Sequence, residues 1–234
     1  MGSVSNSDTP ALATNPKIIF FTDFDGTISI KDSNDFMTEE LGYGRELRLV
    51  ENDHILYGRK TFREAFQGMM DSIKLPFDQC IATLRANIKL DPGFRDFFHW
   101  CRANNVPIVI LSGGMRPVIR SLLEMWLGDE ASYIQIVSND VAPRGGQSME
   151  IRKYSANPDR PIMLYAGDGV SDLSAARETD LLFAKAGKDL VTYCERESVP
   201  FVTFQDFTSI HKTVEAIEAG TLTHKDAALG RIHT

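Results

Sequence analysis

The chain has 234 residues, 43% of them hydrophobic and 24% charged, with 32 acidic against 25 basic side chains and a formal charge of −7. That length suits one full-sized domain with a modest insertion, and the ordinary apolar content excludes a disordered, collagen-like or repeat-array chain. The acidic balance, without any run of Lys or Arg, argues against nucleic acid as a partner.

Residues 1–16 are polar and carry no apolar segment behind a basic start, so they read as a disordered tail rather than a secretion signal. The compact apolar run over 17–22 reads as a buried strand. Over 31–90 the pattern changes. Phe62, Ala65, Phe66, Met69, Met70 and Ile73 recur at steps of three and four, the spacing of one helix face. Gly42, Gly44, Gly58 and Leu75-Pro76, with a cap at Asp32 or Ser33, divide this stretch into some four short helices, a bundle inserted into the main domain. Its Phe/Met stripe reads first as simple packing. Beyond Pro92 the sequence predicts a helix over 93–104, a strand over 106–111, a helix over 117–127 and a strand over 133–137. A polar stretch follows, then a strand over 162–166, a helix from Ser171, a strand over 181–184, another helix, and a last strand and helix from Phe201. Strands alternating with helices imply a parallel sheet with right-handed crossovers, covered on both faces. The domain division is therefore 17–30 with 91–234 as an α/β core and 31–90 as the helical insertion. Cys80, Cys101 and Cys194 form no CxxC pair and suit a reducing compartment, where they serve packing. No apolar run approaches the length of a membrane helix, so a soluble, cytoplasmic protein is expected, a monomer or homodimer with no membrane partner.

In such a fold, ligands sit beyond the carboxyl ends of the strands. The first strand runs into Asp23-Phe24-Asp25-Gly26-Thr27, two carboxylates that can face one pocket. The second ends in Ser112-Gly113-Gly114 directly before a helix, where amide hydrogens and the helix dipole favour an anion such as phosphate. The strand over 162–166 ends in Gly167-Asp168-Gly169-Val170-Ser171-Asp172, a carboxylate pair across a glycine turn. Acids gathered in one crevice repel each other unless a cation sits among them, and hard oxygen ligands suit Mg²⁺. Taken singly, each turn could be structural punctuation; their joint order after apolar strands points to a site. The five histidines are dispersed without metal-ligand spacing, which leaves zinc hydrolysis unsupported. No Gly-rich turn follows the first strand, so a dinucleotide-dependent dehydrogenase is rejected.

The segments DFDGTI (23–28), ILSGG (110–114) and GDGVSD (167–172) resemble the signatures of the haloacid dehalogenase (HAD) superfamily, over essentially the whole chain after the tail. The resemblance implies a Rossmann-like three-layer sandwich around a parallel sheet, with the inserted helices as a type 1 cap domain. The subgroup resembles phosphoserine phosphatases, the MtnX-like phosphatases of methionine salvage and related fungal enzymes. It implies Asp23 as nucleophile in an aspartyl-phosphate mechanism and Asp25 as general acid and base, whose carbonyl also ligates Mg²⁺. Asp23 and Asp168 become metal ligands, with Asp172 a ligand or the holder of a metal-bound water. Ser112 and the Gly113 amide bind phosphate, and Thr27 fixes the geometry around Asp25. A second Asp at position 25 sets the chain apart from dehalogenases. The cationic element of the family has no matching motif in 138–161; Lys153 is the best candidate, with Arg152 and Arg144 behind it. Asp32 falls where phosphoserine phosphatases hold a substrate amine and is equally a good helix N-cap. The neutral Phe66-Gln67-Gly68-Met69 stands where those enzymes carry basic residues, which disfavours phosphoserine and leaves a less polar phosphate ester as the expected substrate. A phosphomutase and a catalytically weakened binding protein remain as alternatives to a phosphomonoester hydrolase.

Overall fold

β1 (Ile18–Thr22) is buried at all its positions, because it lies at the centre of a parallel sheet covered on both faces. The computed structural model describes residues 9–139, 147–155 and 159–229. The other strands are β2 (Ile108–Met115), β3 (Gln135–Asn139), β4 (Ile162–Gly167), β5 (Leu181–Lys185) and β6 (Val202–Phe204), in the order β3-β2-β1-β4-β5-β6. Every pairing is parallel. The chain winds outward in one direction from β1 to β3 and in the other from β4 to β6, so the topological switch point lies between β1 and β4.

Four helices follow β1: α1 (Ser33–Leu41), α2 (Arg45–Leu56), α3 (Phe62–Ser72) and α4 (Phe77–Asn87). The remainder alternate with strands: α5 (Phe94–Ala103), α6 (Arg116–Leu127), α7 (Gln147–Ser155), α8 (Leu173–Ala176), α9 (Asp189–Glu197), α10 (Phe207–Glu218) and α11 (His224–Leu229). The strand period of two sorts the apolar side chains between two layers. Phe20, Ile108, Ile110 and Leu164 pack with α5, α6 and α10, while Phe21, Val109, Met163 and Tyr165 pack with α7, α8 and α9. Phe20 meets Phe97 edge-on at 4.8 Å and Phe21 meets Tyr154 at 5.2 Å, anchoring the centre of each layer. Among the described residues no helix is long and apolar enough to cross a membrane.

The four inserted helices connect to the sheet through two adjacent segments. Ile30 N–H donates to Lys89 O and Asp91 N–H to Ile28 O, around an antiparallel bridge between Ser29 and Leu90. Asp91 anchors this junction: it accepts from the Gly93 and Phe207 amides and pairs with Lys185 Nζ at 3.0 Å.

Several expectations need correction. Residues 9–16 are not a structureless tail: Pro10–Leu12 forms a 3-10 turn whose Ala11 is buried against the α7–α9 layer, and Thr14 O accepts from Asn105 Nδ2. Residues 1–8 lie outside the described residues. β2 does not stop at Leu111 but pairs with β3 as far as Met115, with a register shift between Ser112 and Met115. The polar stretch before β4 contains a helix, α7, because Ile151 and Tyr154 bury one face. The helix expected from Ser171 is a 3-10 turn over Val170–Asp172 followed by only four residues of α8.

Candidate active site

The parallel register brings the three turns together. Thr22 pairs with Ala166 on one side and with Ile110 on the other, so Asp23, Asp168 and Ser112 emerge at one edge of the sheet, beside the switch point. Carboxylate oxygens of Asp23, Asp168 and Asp172 lie within 4.8 Å of one another. Asp23 and Asp172 are buried. The Asp168 and Gly169 amides donate to Asp172 Oδ2 at 3.1 and 3.0 Å, and Tyr165 Oη donates to Asp172 Oδ1 at 2.6 Å. Gly26, at φ +79°, lies so close to Asp168 that any Cβ would overlap its carboxylate, which makes glycine obligatory at that turn.

Asp25 is turned the other way. Its Oδ1 accepts from Ser33 N at 2.7 Å and its Oδ2 from Asn34 Nδ2 at 3.2 Å, both on the first turn of α1. The structure thus separates the two aspartates of the first motif: Asp23 joins the trio, and the Asp25 carboxylate faces the inserted helices. A Cβ on Gly114 would stand 2.9 Å from Asp25 Oδ2 and 3.2 Å from Ser112 Oγ, which puts the irregular end of β2 against the same pocket. Ser112 is buried and its Oγ accepts from Gly114 N, while Gly113 is exposed. Thr27 Oγ1 is buried and has no hydrogen-bond partner among the described residues. Asp32 caps α1, its Oδ1 accepting from Asn34 N and Asp35 N at 2.8 and 2.9 Å. Its charge reaches Asp25, so the capping role and a place beside the pocket coincide.

Burial raises Asp23 well above the usual carboxylate range, and the charges of Asp172, Asp25 and Asp168 raise it further against a hydrogen bond from the Phe24 amide. Asp25 is raised by burial and by Asp32, with Ser33 opposing. Asp168 is pushed up to about 6 by burial and Asp172, while Lys188 pulls the other way. Closely spaced hard oxygens, disfavoured as bare anions, fit a small divalent cation.

Lys153 is not brought to this cluster. It lies on α7, half-exposed, with Nζ 2.5 Å from Glu150, and no ion pair among the described residues joins it to the acids. The physical reason is helical: residues 150 and 153 are neighbours on one face, so the lysine is neutralised locally. Arg152 pairs with Glu178, and Arg144 lies outside the described residues. Among the described residues, the cation paired with the trio is Lys188, at the N-cap position of α9 after β5, with Nζ 3.6 Å from Asp168 Oδ2. Burial raises Asp32, and raises Asp35 to about 6, and the Lys188 charge opposes both shifts. Sequence reasoning missed Lys188, Asn34 and Tyr165. The strand-end rule could have flagged Lys188, since it follows β5; nothing in a run of strand residues marked Tyr165 as the donor to Asp172.

The family model for haloacid dehalogenase-like hydrolases matches residues 20–177. The chain is 44% identical over 225 residues to Pdp3-interacting factor 1 of Schizosaccharomyces pombe, covering 88% of this chain and 98% of that protein. It is also 44% identical over 232 residues to polyol phosphate phosphatase PYP1 of Saccharomyces cerevisiae, covering 88% and 96%. A 2-hydroxy-3-keto-5-methylthiopentenyl-1-phosphate phosphatase of Microcystis aeruginosa is 24% identical over 210 residues, covering 83% and 96%. Among solved structures, a phospho-aspartyl intermediate analogue of phosphoserine phosphatase shares the fold, with a TM-score of 0.63 at 17% identity, covering 84% of this chain and 98% of that one.

Proposed function

The chain belongs to the haloacid dehalogenase-like hydrolase family, and from that premise we propose that it is a Mg²⁺-dependent phosphatase of a small phosphorylated metabolite, of the polyol phosphate class. The observation that carries this reading is the division of the first motif. Asp23 stands in an acid trio with Asp168 and Asp172, while Asp25, two residues on, is held toward the opposite side of the pocket by Ser33 and Asn34.

Asp23 attacks phosphorus in line, forming an aspartyl phosphate as the bond to the leaving oxygen breaks. Asp25 delivers a proton to that oxygen and later takes one from the water that releases phosphate. Its raised affinity for protons suits the first half of that task. Asp23, Asp168 and Asp172 would hold Mg²⁺, with the Asp25 carbonyl as a further ligand; the ion would offset their repulsion and draw charge from the phosphoryl group. Ser112 and the Gly113 amide line the phosphate side, and Thr27, with its unpaired hydroxyl, is assigned to the same side. Lys188 replaces Lys153 as the cation facing the phosphate. The helices over 31–90 act as the cap, and Asp32 and Asn34 supply polar contacts to the leaving group. Ala65 and Met69 are buried and Met70 and Ile73 pack against the core, so this part of the helix face serves packing. That favours a hydroxylated substrate over the apolar ester expected from the sequence.

The test is release of inorganic phosphate from sorbitol 6-phosphate, ribitol 5-phosphate and an aryl phosphate, with Mg²⁺ and with EDTA. Activity that requires Mg²⁺ and disappears in Asp23→Asn is expected. Release that persists with EDTA, or conversion of a sugar phosphate to its positional isomer without free phosphate, would overturn the reading.

A further inference from the structure

Arg48, on α2, is a buried cation within the electrostatic reach of the pocket, and it is fully engaged. Its Nη1 lies 2.9 Å from Asp35 Oδ2, its Nη2 2.7 Å from Glu39 Oε1, and its Nε donates to the same Glu39 oxygen at 2.8 Å. Its side chain is 11% exposed. Both acids come from α1, the helix whose first turn holds Asp25. Asp32, which acts on Asp25, feels the charges of both Arg48 and Lys188, and so does Asp35. α1 and its N-cap therefore carry Asp32, Asp35 and Glu39, of which Arg48 pairs with two, while Lys188 lies against Asp168 on the core side. Asn34 adds a buried Oδ1 without a hydrogen-bond partner among the described residues, an acceptor placed beside Asp25.

We infer that the Asp35–Arg48–Glu39 clamp is a specificity filter: it keeps the Arg48 guanidinium engaged with the acids of α1 and leaves a net negative wall on the leaving-group side. The wall rejects phosphate esters whose leaving group bears a carboxylate and admits neutral hydroxylated ones. The inference rests on the phosphatase reading above and names residues that set its substrate class. A carboxylate entering here meets like charges while Arg48 is already paired with Asp35 and Glu39 and Lys188 is turned to Asp168, and a few such juxtapositions suffice for strong discrimination. A polyol brings only hydroxyl groups, which donate to Asp32 and to the Asn34 acceptor.

The matched pair glycerol 3-phosphate and 3-phosphoglycerate differs only in a hydroxymethyl group replaced by a carboxylate. The wild type is expected to favour glycerol 3-phosphate in kcat/KM by at least tenfold. Asp35→Asn, which leaves Arg48 paired with Glu39, should narrow that ratio about tenfold, chiefly through a lower KM for 3-phosphoglycerate. Asp35→Asn/Glu39→Gln should narrow it more, and Arg48→Met should not narrow it. Circular dichroism and melting curves establish that each variant is folded. A wild type that favours the neutral ester, with a folded Asp35→Asn that favours it equally, overturns the filter and leaves the phosphatase reading intact. A wild type inert toward both esters and toward an aryl phosphate overturns the phosphatase reading itself, and a wild type indifferent to the carboxylate overturns the filter alone.

Discussion

Asp23 has two separable consequences, one chemical and one energetic. Replacing it by Asn keeps the shape and removes both the proposed nucleophile and a buried charge that Asp172, Asp25 and Asp168 repel. Phosphate release should fall by about three orders of magnitude or more, while the metal-free protein melts several degrees higher because the repulsion is relieved. A melting temperature that drops would contradict the account of a strained acid cluster. Lys188 makes a different demand. With its ammonium 3.6 Å from Asp168, Lys188→Met should raise KM for phosphate esters and lower kcat, and Lys188→Arg should restore most of the loss. Lys153→Ala should behave as wild type, since its charge is already matched by Glu150; a deep loss of turnover there would reinstate Lys153.

At the scale of elements, the junction between the inserted helices and the sheet depends on Asp91. Its side chain is 2% exposed and that of Lys185 15%, so neither charge is well solvated without the other. Asp91→Ala would strand the lysine and leave the Gly93 and Phe207 amides without their acceptor. Breaking a buried pair from one side costs roughly 3–5 kcal/mol, which in a chain of this size lowers the melting temperature by about 10 °C. Asp91→Leu combined with Lys185→Met should recover part of that loss. If the double variant is no more stable than Asp91→Ala, the pair is not what holds the junction. The end of β2 is a second case in which the element matters more than the motif. Ser112 is placed by pairing with Ser138 and by the register shift that follows, so its position depends on β3 as much as on the glycines beside it.

For the whole molecule, the acid cluster ties stability to pH and, on the proposed reading, to Mg²⁺. Asp168 has an ordinary value of 3.8 and is raised to about 6 in the folded protein. The folded state therefore binds its proton more tightly than the unfolded chain, and the resulting stability is present below about pH 4 and lost as pH rises to about 6. Two pK units correspond to about 3 kcal/mol, so the metal-free wild type should lose several degrees of melting temperature over that interval relative to Asp168→Asn. At neutral pH, Mg²⁺ should restore the loss, because a ligand bound only by the folded state stabilises it. Superimposable pH profiles of the two proteins would refute this. The sequence by itself determined the α/β class, the helical insertion and the three acid or glycine turns, because apolar periodicity and turn chemistry are local properties. It also located Asp23, Asp25, Asp168 and Asp172. Tertiary structure alone decided that the Asp25 carboxylate faces Ser33 and Asn34 rather than the trio, that Tyr165 braces Asp172, and that Lys188 stands at the site while Lys153 does not. Those outcomes depend on which strands become neighbours, in what register, and how the turns after them fold, and an apolar pattern carries no side-chain direction even for contacts seven to twenty residues apart.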